Sequence, residues 1–242
     1  MLEIAEIKFS YNKGTPVLNN INLSINKGDF LALVGPNGCG KTTLIKLICD
    51  LLEKQEGHIK FRGIDNDRLQ VKKSFLYLPS DDVLPDFLTG AEYIDLMLKM
   101  YEKTLNQTAL EKMSEFYSFE SALDVLIEEY SHGMKKKIQL MTALLIEPEI
   151  LIIDETLNGI DIESLEITKI LLKKYMKQNK TIIMCSHDLH LLEEVCNRVV
   201  VLYNGVVHID KDMDEIKKNS NLITTFRQII KHDELINKIM MS

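Results

Sequence analysis

Residues 35–42 read GPNGCGKT, and residues 150–155 read ILIIDE. The first stretch fits G-x-x-x-x-G-K-[ST], whose glycines let the backbone turn tightly so that several N–H groups converge on one point. It follows the apolar run FLALV at 30–34 and precedes a helical pattern, KTTLIKLICDLL at 41–52. A helix starting near Lys41 adds the positive end of its dipole, Lys41 adds a full charge, and the Thr42 hydroxyl can ligate Mg²⁺. These residue types in this order make a phosphate cradle, with Gly35, Pro36, Asn37, Gly38, Cys39, Gly40, Lys41, Thr42 and Thr43 around a nucleotide. The second stretch ends four aliphatic residues on two adjacent acids. Burying an unpaired carboxylate costs several kcal/mol, so Asp154 calls for a cation, and a metal held with the nucleotide supplies one. Glu155 lies one residue further along, points elsewhere, and is suited to act on an attacking water as general base. Cys39, a thiol beside an electropositive helix start, is expected to be activated, to react with maleimide and to be protected by ATP.

The elements that must position these residues follow from periodicity. Residues 2–9 and 17–25 alternate apolar and polar as strands of an antiparallel sheet do. FLALVG, ILIID, TIIMCS (181–186) and VVVLY (199–203) are buried-strand runs separated by helical stretches at 162–178 and 188–196, which argues for a parallel sheet with helices on its faces. HIKF (58–61) and SFLYL (74–78) are further short strands. From about residue 81 to 145 the segments AEYIDLMLKMYEK, TALEKMSEFYSF and SALDVLIEEY read as helices with no strand between them, an inserted helical subdomain. The tail from about Lys211 is charged and weakly amphipathic.

Bulk properties narrow the function classes. The 242 residues are 45% hydrophobic and 27% charged, with a net charge of −7, ordinary for a globular chain and unfavourable for general nucleic-acid binding. Only four of the 29 basic residues are arginines, so phosphate chemistry rests on lysine and backbone amides. Four cysteines without CxxC pairing fit a reduced compartment. The N-terminal stretch lacks the apolar core of a signal peptide, and no run approaches the length of a membrane helix.

Three further stretches narrow the field. EEYSHGMKKKIQL (128–140), DETLNGID (154–161) and MCSHD (184–188) occur in that order after the glycine-rich loop, and with Tyr11 upstream they resemble the ATP-binding cassette (ABC) family over nearly everything from Leu2 to Ile209. The resemblance implies an α/β P-loop NTPase with a mainly parallel core sheet, an N-terminal antiparallel β subdomain and an inserted helical subdomain. It places a single nucleotide-binding domain over 1–210, with the helical insert at about 81–145, and a C-terminal helical extension at 211–242. ATP and Mg²⁺ are the implied cofactors. Tyr11 would stack on adenine, and Thr42 and Asp154 would hold the metal, with Ser80 a further candidate. Glu155 and His187 would be catalytic, and Asp161 would work across a dimer interface. Ser131, His132, Gly133 and Met134 form the signature, expected to bind ATP held by a partner cassette. Implied partners are a second cassette, identical or different, and a transmembrane permease on a separate chain, at the cytoplasmic face of the membrane; nucleic acid is not expected.

Some features have plainer readings. A lone histidine after a strand is commonly a surface residue, Tyr11 alone would be packing, and Lys135, Lys136 and Lys137 read as a solvated helix face. The chain also departs from the family pattern: Ser80 stands where a glutamine usually meets the metal and senses the permease, Thr156 replaces a proline, and Asp50 replaces a helix-ending glycine. SHGMKKK and LTGAEYIDL (88–96) look like cassettes of export or antibiotic-resistance systems. A soluble ABC switch and a nucleotide-dependent binding module are the competing classes.

Overall fold

The computed structural model describes residues 1–12 and 14–230. In chain order the elements are β1 (Leu2–Phe9), β2 (Leu18–Ile25), β3 (Phe30–Val34), α1 (Lys41–Ile48), β4 (Glu56–Phe61), β5 (Ile64–Asp65), α2 (Leu69–Lys72), β6 (Phe75–Leu78), α3 (Gly90–Met100) and α4 (Gln107–Tyr117). After two 3₁₀ turns (Glu120–Ala122 and Ile127–Glu129) come α5 (His132–Ile146), β7 (Ile150–Asp154), α6 (Ile162–Lys177), β8 (Thr181–Cys185), α7 (Leu189–Val195), β9 (Arg198–Tyr203), β10 (Val206–Asp212) and α8 (Met213–Asn219). The chain forms two compact units, Met1–Lys72 with Thr181–Ser242, and Lys73–Lys180.

The first unit holds two sheets. β1 pairs antiparallel with β2 and with β4, and its alternating burial follows from the alternating sequence. In the other sheet β3 lies parallel between β8 and β9. All five residues of β3 and all five of β8 are buried, as expected of strands covered on both faces. β10, which the sequence did not signal, closes this sheet antiparallel to β9. It is held by Arg198, whose guanidinium donates to both carboxylate oxygens of Asp210 at 2.8 and 2.7 Å and to Asp29 at 2.7 Å.

The sequence pattern carries α1 to residue 52, whereas the helix ends at Ile48. Asp50 adopts φ +53°, and the amides of Leu51 and Asp50 bond back to the carbonyls of Lys46 and Leu47, a Schellman turn in which aspartate stands in for glycine. Lys72 and Lys54 pair with its carboxylate at 2.7 and 3.8 Å. Asn66, 1% exposed, donates to carbonyls at the end of the helix, Leu47 O at 2.7 Å and Ile48 O at 3.0 Å.

In the second unit β6 and β7 pair in parallel and α3 to α6 pack around them. SALDVLIEEY is not the helix its apolar spacing predicts. Its backbone instead partners the start of α3: Thr89 bridges Leu126, and Ala91 N and Gly90 N donate to Leu123 O and Val125 O at 2.9 and 3.3 Å. The Tyr130 hydroxyl closes the segment on Ala122 O at 2.6 Å. Hydrogen bonding to a neighbouring element displaces the intrahelical ladder here, which no local pattern encodes. Of the C-terminal extension, α8 and a helical stretch at 222–230 are present, and residues 231–242 lie outside the described residues.

Asn66→Ala takes its donor from the Ile48 carbonyl and the second of two donors from the Leu47 carbonyl at the end of α1, so a loss of about 1–3 kcal/mol of unfolding free energy is expected. Urea unfolding of the two proteins, compared by midpoint at constant slope, checks it.

Candidate active site

The first unit carries the phosphate loop, Tyr11 and His187. Gly35 is required by close approach: a Cβ there would stand 2.2 Å from Leu202 O and 2.4 Å from Cys39 Sγ. Gly40, at φ +107°, caps α1 without any side-chain hydrogen bond, and no acid occupies the first turn. Gly40 thus brings no capping side chain and the first turn of α1 itself no acid, as suits an anion site at a helix start. The Lys41 side chain is 8% exposed and folds back on its own loop, with Nζ donating to Gly35 O at 2.8 Å and Pro36 O at 3.2 Å. Carbonyl dipoles hold it in place without neutralising it, so its charge is kept for a phosphate. Thr42 is exposed on the same turn.

Tyr11 is brought to this loop. Its hydroxyl lies 3.2 Å from Thr43 Oγ1 and its ring stands edge-on to Phe9 at 5.0 Å, leaving the residue 58% exposed, as a stacking platform should be. An open groove beside the loop is lined by Thr15, Pro16, Val17, Asn37, Asn204 and Gly205. The contribution of Asn204 and Gly205 was not foreseen; the NG pair after β9 was its only sequence signal. His187 is exposed on the tight turn between β8 and α7, where Ser186 Oγ accepts from Asp188 N at 3.0 Å and Asp188 caps the helix through Leu191 N at 3.0 Å.

Cys39 departs from expectation. The side chain is 6% exposed, and burial raises the thiol's pKa more than neighbouring Lys41 lowers it. The thiol packs beneath the loop, and the loop offers its backbone N–H groups.

The second unit carries the acids and the signature. β7 is buried throughout, and Asp154, 2% exposed, accepts from the Tyr77 hydroxyl at 3.2 Å. Glu155 has φ +59°, a left-handed conformation that costs a non-glycine residue on the order of 1–2 kcal/mol. The turn breaks strand alternation and directs the two adjacent carboxylates differently, which fits their two expected tasks. Thr156 is fully buried, and its hydroxyl donates to Leu78 O at 2.9 Å and Pro79 O at 3.2 Å. A proline at 156 would lack this link to the end of β6.

Ser131 caps α5, accepting from Met134 N at 3.3 Å, and both Ser131 and His132 are exposed. A Cβ on Gly133 would meet Gly159 O at 3.3 Å, so the signature and the turn before Asp161 pack together. Asp161 caps α6 through Ser164 N at 2.9 Å. It also pairs with Lys137 at 2.7 Å, and Lys137 and the Ser164 amide together push its pKa down to about 2.

The three lysines are therefore not a solvated face. Lys136 is 1% exposed and pairs with Asp82, Lys135 pairs with Asp86 at 3.0 Å, and Lys137 holds Asp161. At Ser80 the carbonyl accepts from Lys136 Nζ at 2.5 Å, an anchoring role the side-chain reading had not anticipated. Among the described residues no group of three or more His, Cys, Asp or Glu could hold a metal.

Two outcomes follow from these contacts. Under maleimide at pH 7, mass spectrometry should find Cys49, which is partly exposed, modified before Cys39, with ATP giving Cys39 no further protection. Lys137→Met should return the Asp161 carboxyl, followed by NMR titration, from about 2 toward 3.8. Because its pKa is depressed in the fold, the stabilisation from Asp161 is full above pH 3.8 and lost as pH falls toward 2.

Comparison with known proteins agrees with this geometry. The family model described as ABC transporter matches residues 18–158. A Synechocystis chain that carries an ABC transporter ATP-binding name is 31% identical over 230 residues, covering 92% of this chain and 78% of its own length. The lantibiotic transport ATP-binding protein SrtF of Streptococcus pyogenes is 29% identical, covering 88% of this chain and 92% of its own. A solved ATP-binding subunit of an ABC transporter superposes with a TM-score of 0.87 at 26% identity, over 95% of this chain and 99% of the other. On these matches the chain belongs to the ABC transporter ATP-binding family.

Proposed function

We propose that this chain is the ATP-hydrolysing subunit of a transporter, powering a permease on a separate chain, and that the transporter works as an exporter. The phosphate loop carries the reading: an uncapped helix start and a lysine held by carbonyls are poised for polyphosphate. Among the relatives, SrtF is named for lantibiotic transport, which supports export as the direction.

In this reading Lys41 and the loop amides, with Cys39 contributing its backbone, bind the phosphates, and Tyr11 stacks on adenine. Glu155 takes the proton of the attacking water, and His187 orients that water against the γ-phosphate. Thr42 and Asp154 would hold Mg²⁺, which would supply neutralising charge to the phosphate oxygens. Ser131 and the Gly133 amide address ATP held by a second cassette, and Asp161 acts across the same contact. ATP then draws two cassettes together and hydrolysis releases them, a population shift set by differential contacts. The cassette sits at the cytoplasmic membrane face through its permease.

Purified protein should turn over ATP with Mg²⁺. Glu155→Gln should lower the rate by about 10²–10⁴-fold, and Lys41→Ala should abolish nucleotide binding. A wild-type rate no higher than that of Glu155→Gln rejects the enzyme. For the permease, tagged Glu155→Gln protein is recovered from solubilised membranes with ATP and Mg²⁺. A stoichiometric multi-helix membrane protein is expected, and recovery of a soluble dimer alone turns the reading to an ABC switch without a permease.

A further inference from the structure

The loop leaving β6 is held to the second unit by charges that the family pattern does not foretell. Its root is tied to the turn after Glu155 by Thr156. Two residues on, Lys136 donates to Ser80 O and pairs with Asp82, and His132 pairs with the same carboxylate. His132 and Lys136 are four residues apart and share one face of α5, so one carboxylate reaches both. At the far end Lys135 pairs with Asp86. The Asp82 oxygens are shielded from water and meet Lys136 and His132 as close contacts rather than as aligned hydrogen bonds. Asp82 is 12% exposed in its side chain and Lys136 1%, so little solvent screens the attraction. Beyond the clamp the loop exposes Val83 and Phe87, at 85% and 78%.

We propose that Asp82 is a positioning residue that fastens the loop over residues 80–86 to the signature helix, so that a force applied to this loop is passed directly to Ser131 and Gly133. Ser80 has no side chain long enough to link the loop to a metal-bound nucleotide. Asp82 makes the link two residues later, and makes it to the signature. This rests on the reading of the chain as a transport-coupled ATPase.

The test is the pair Asp82→Asn with Lys136→Met, made singly and together. A single substitution strands a buried charge and is expected to destabilise the fold. The double variant removes both charges at similar volume, and a merely structural pair predicts that it recovers turnover as well as stability. Asp82 as a positioning residue predicts a different pattern. The double variant melts close to wild type and binds a fluorescent ATP analogue within about twofold of wild type, while turnover falls about tenfold. Amide exchange over 80–86 accelerates, and that of the later turns of α5 stays unchanged. His132→Ala, which removes the exposed arm of the clamp, should accelerate amide exchange over 80–86 as well as lower turnover about threefold, and the exchange decides the matter if the double variant does not fold. Wild-type turnover in the folded variants overturns the inference and leaves the ATPase standing. A wild type no faster than Glu155→Gln overturns both.

Discussion

Everything in the phosphate loop depends on how closely two backbones approach at the end of β3. With Leu202 O only 2.2 Å from where a Cβ of residue 35 would lie, the chain can pass only as glycine, and it leaves the sheet in a turn that brings Cys39 back under Gly35. That turn buries the cysteine side chain and sets Gly40 in the left-handed conformation that begins α1. It also places the carbonyls of Gly35 and Pro36 where Lys41 rests. The buried parallel strand, the buried thiol and the available helix start are three consequences of one steric constraint. The Schellman turn at Asp50 and the Asn66 cap then fix the other end of the same helix.

In the second unit electrostatics has the organising role that close approach has in the first. α5 begins at an exposed serine and continues into three lysines, each matched to an acid outside the helix. Two of those acids, Asp82 and Asp86, lie on the loop after β6, and the third, Asp161, caps α6. The signature is thereby connected to both the loop and the turn beyond the acids that end β7. Thr156 adds a fourth link between that turn and the end of β6. Substitution of the usual proline and glutamine thus goes with a different set of tethers rather than a loss of order.

The residues most exposed to error in reading were those whose role is set by what packs opposite. Lys136 has the same local sequence as Lys135 and Lys137, yet only Lys136 is fully buried, because the acid that compensates it lies 54 positions earlier in the chain. SALDVLIEEY has the spacing of a helix, yet its backbone bonds to the start of α3. Cys39 sits beside a cation, but desolvation outweighs that charge. β10 escaped notice because its residues are half-buried or exposed, and a strand without a strong apolar face has little pattern to detect.

The sequence by itself determined the order and type of the main elements, the phosphate loop, the acidic strand end and the family. Each of these is written in short-range terms: a two- or 3.6-residue period, glycines at fixed spacing, a capping residue before a helix. Tertiary structure alone decided which charges are buried, where α1 stops, which way Glu155 turns, and how the loop after β6 is anchored. Those outcomes depend on desolvation and on partners distant along the chain, and neither quantity is local to the residues that carry it.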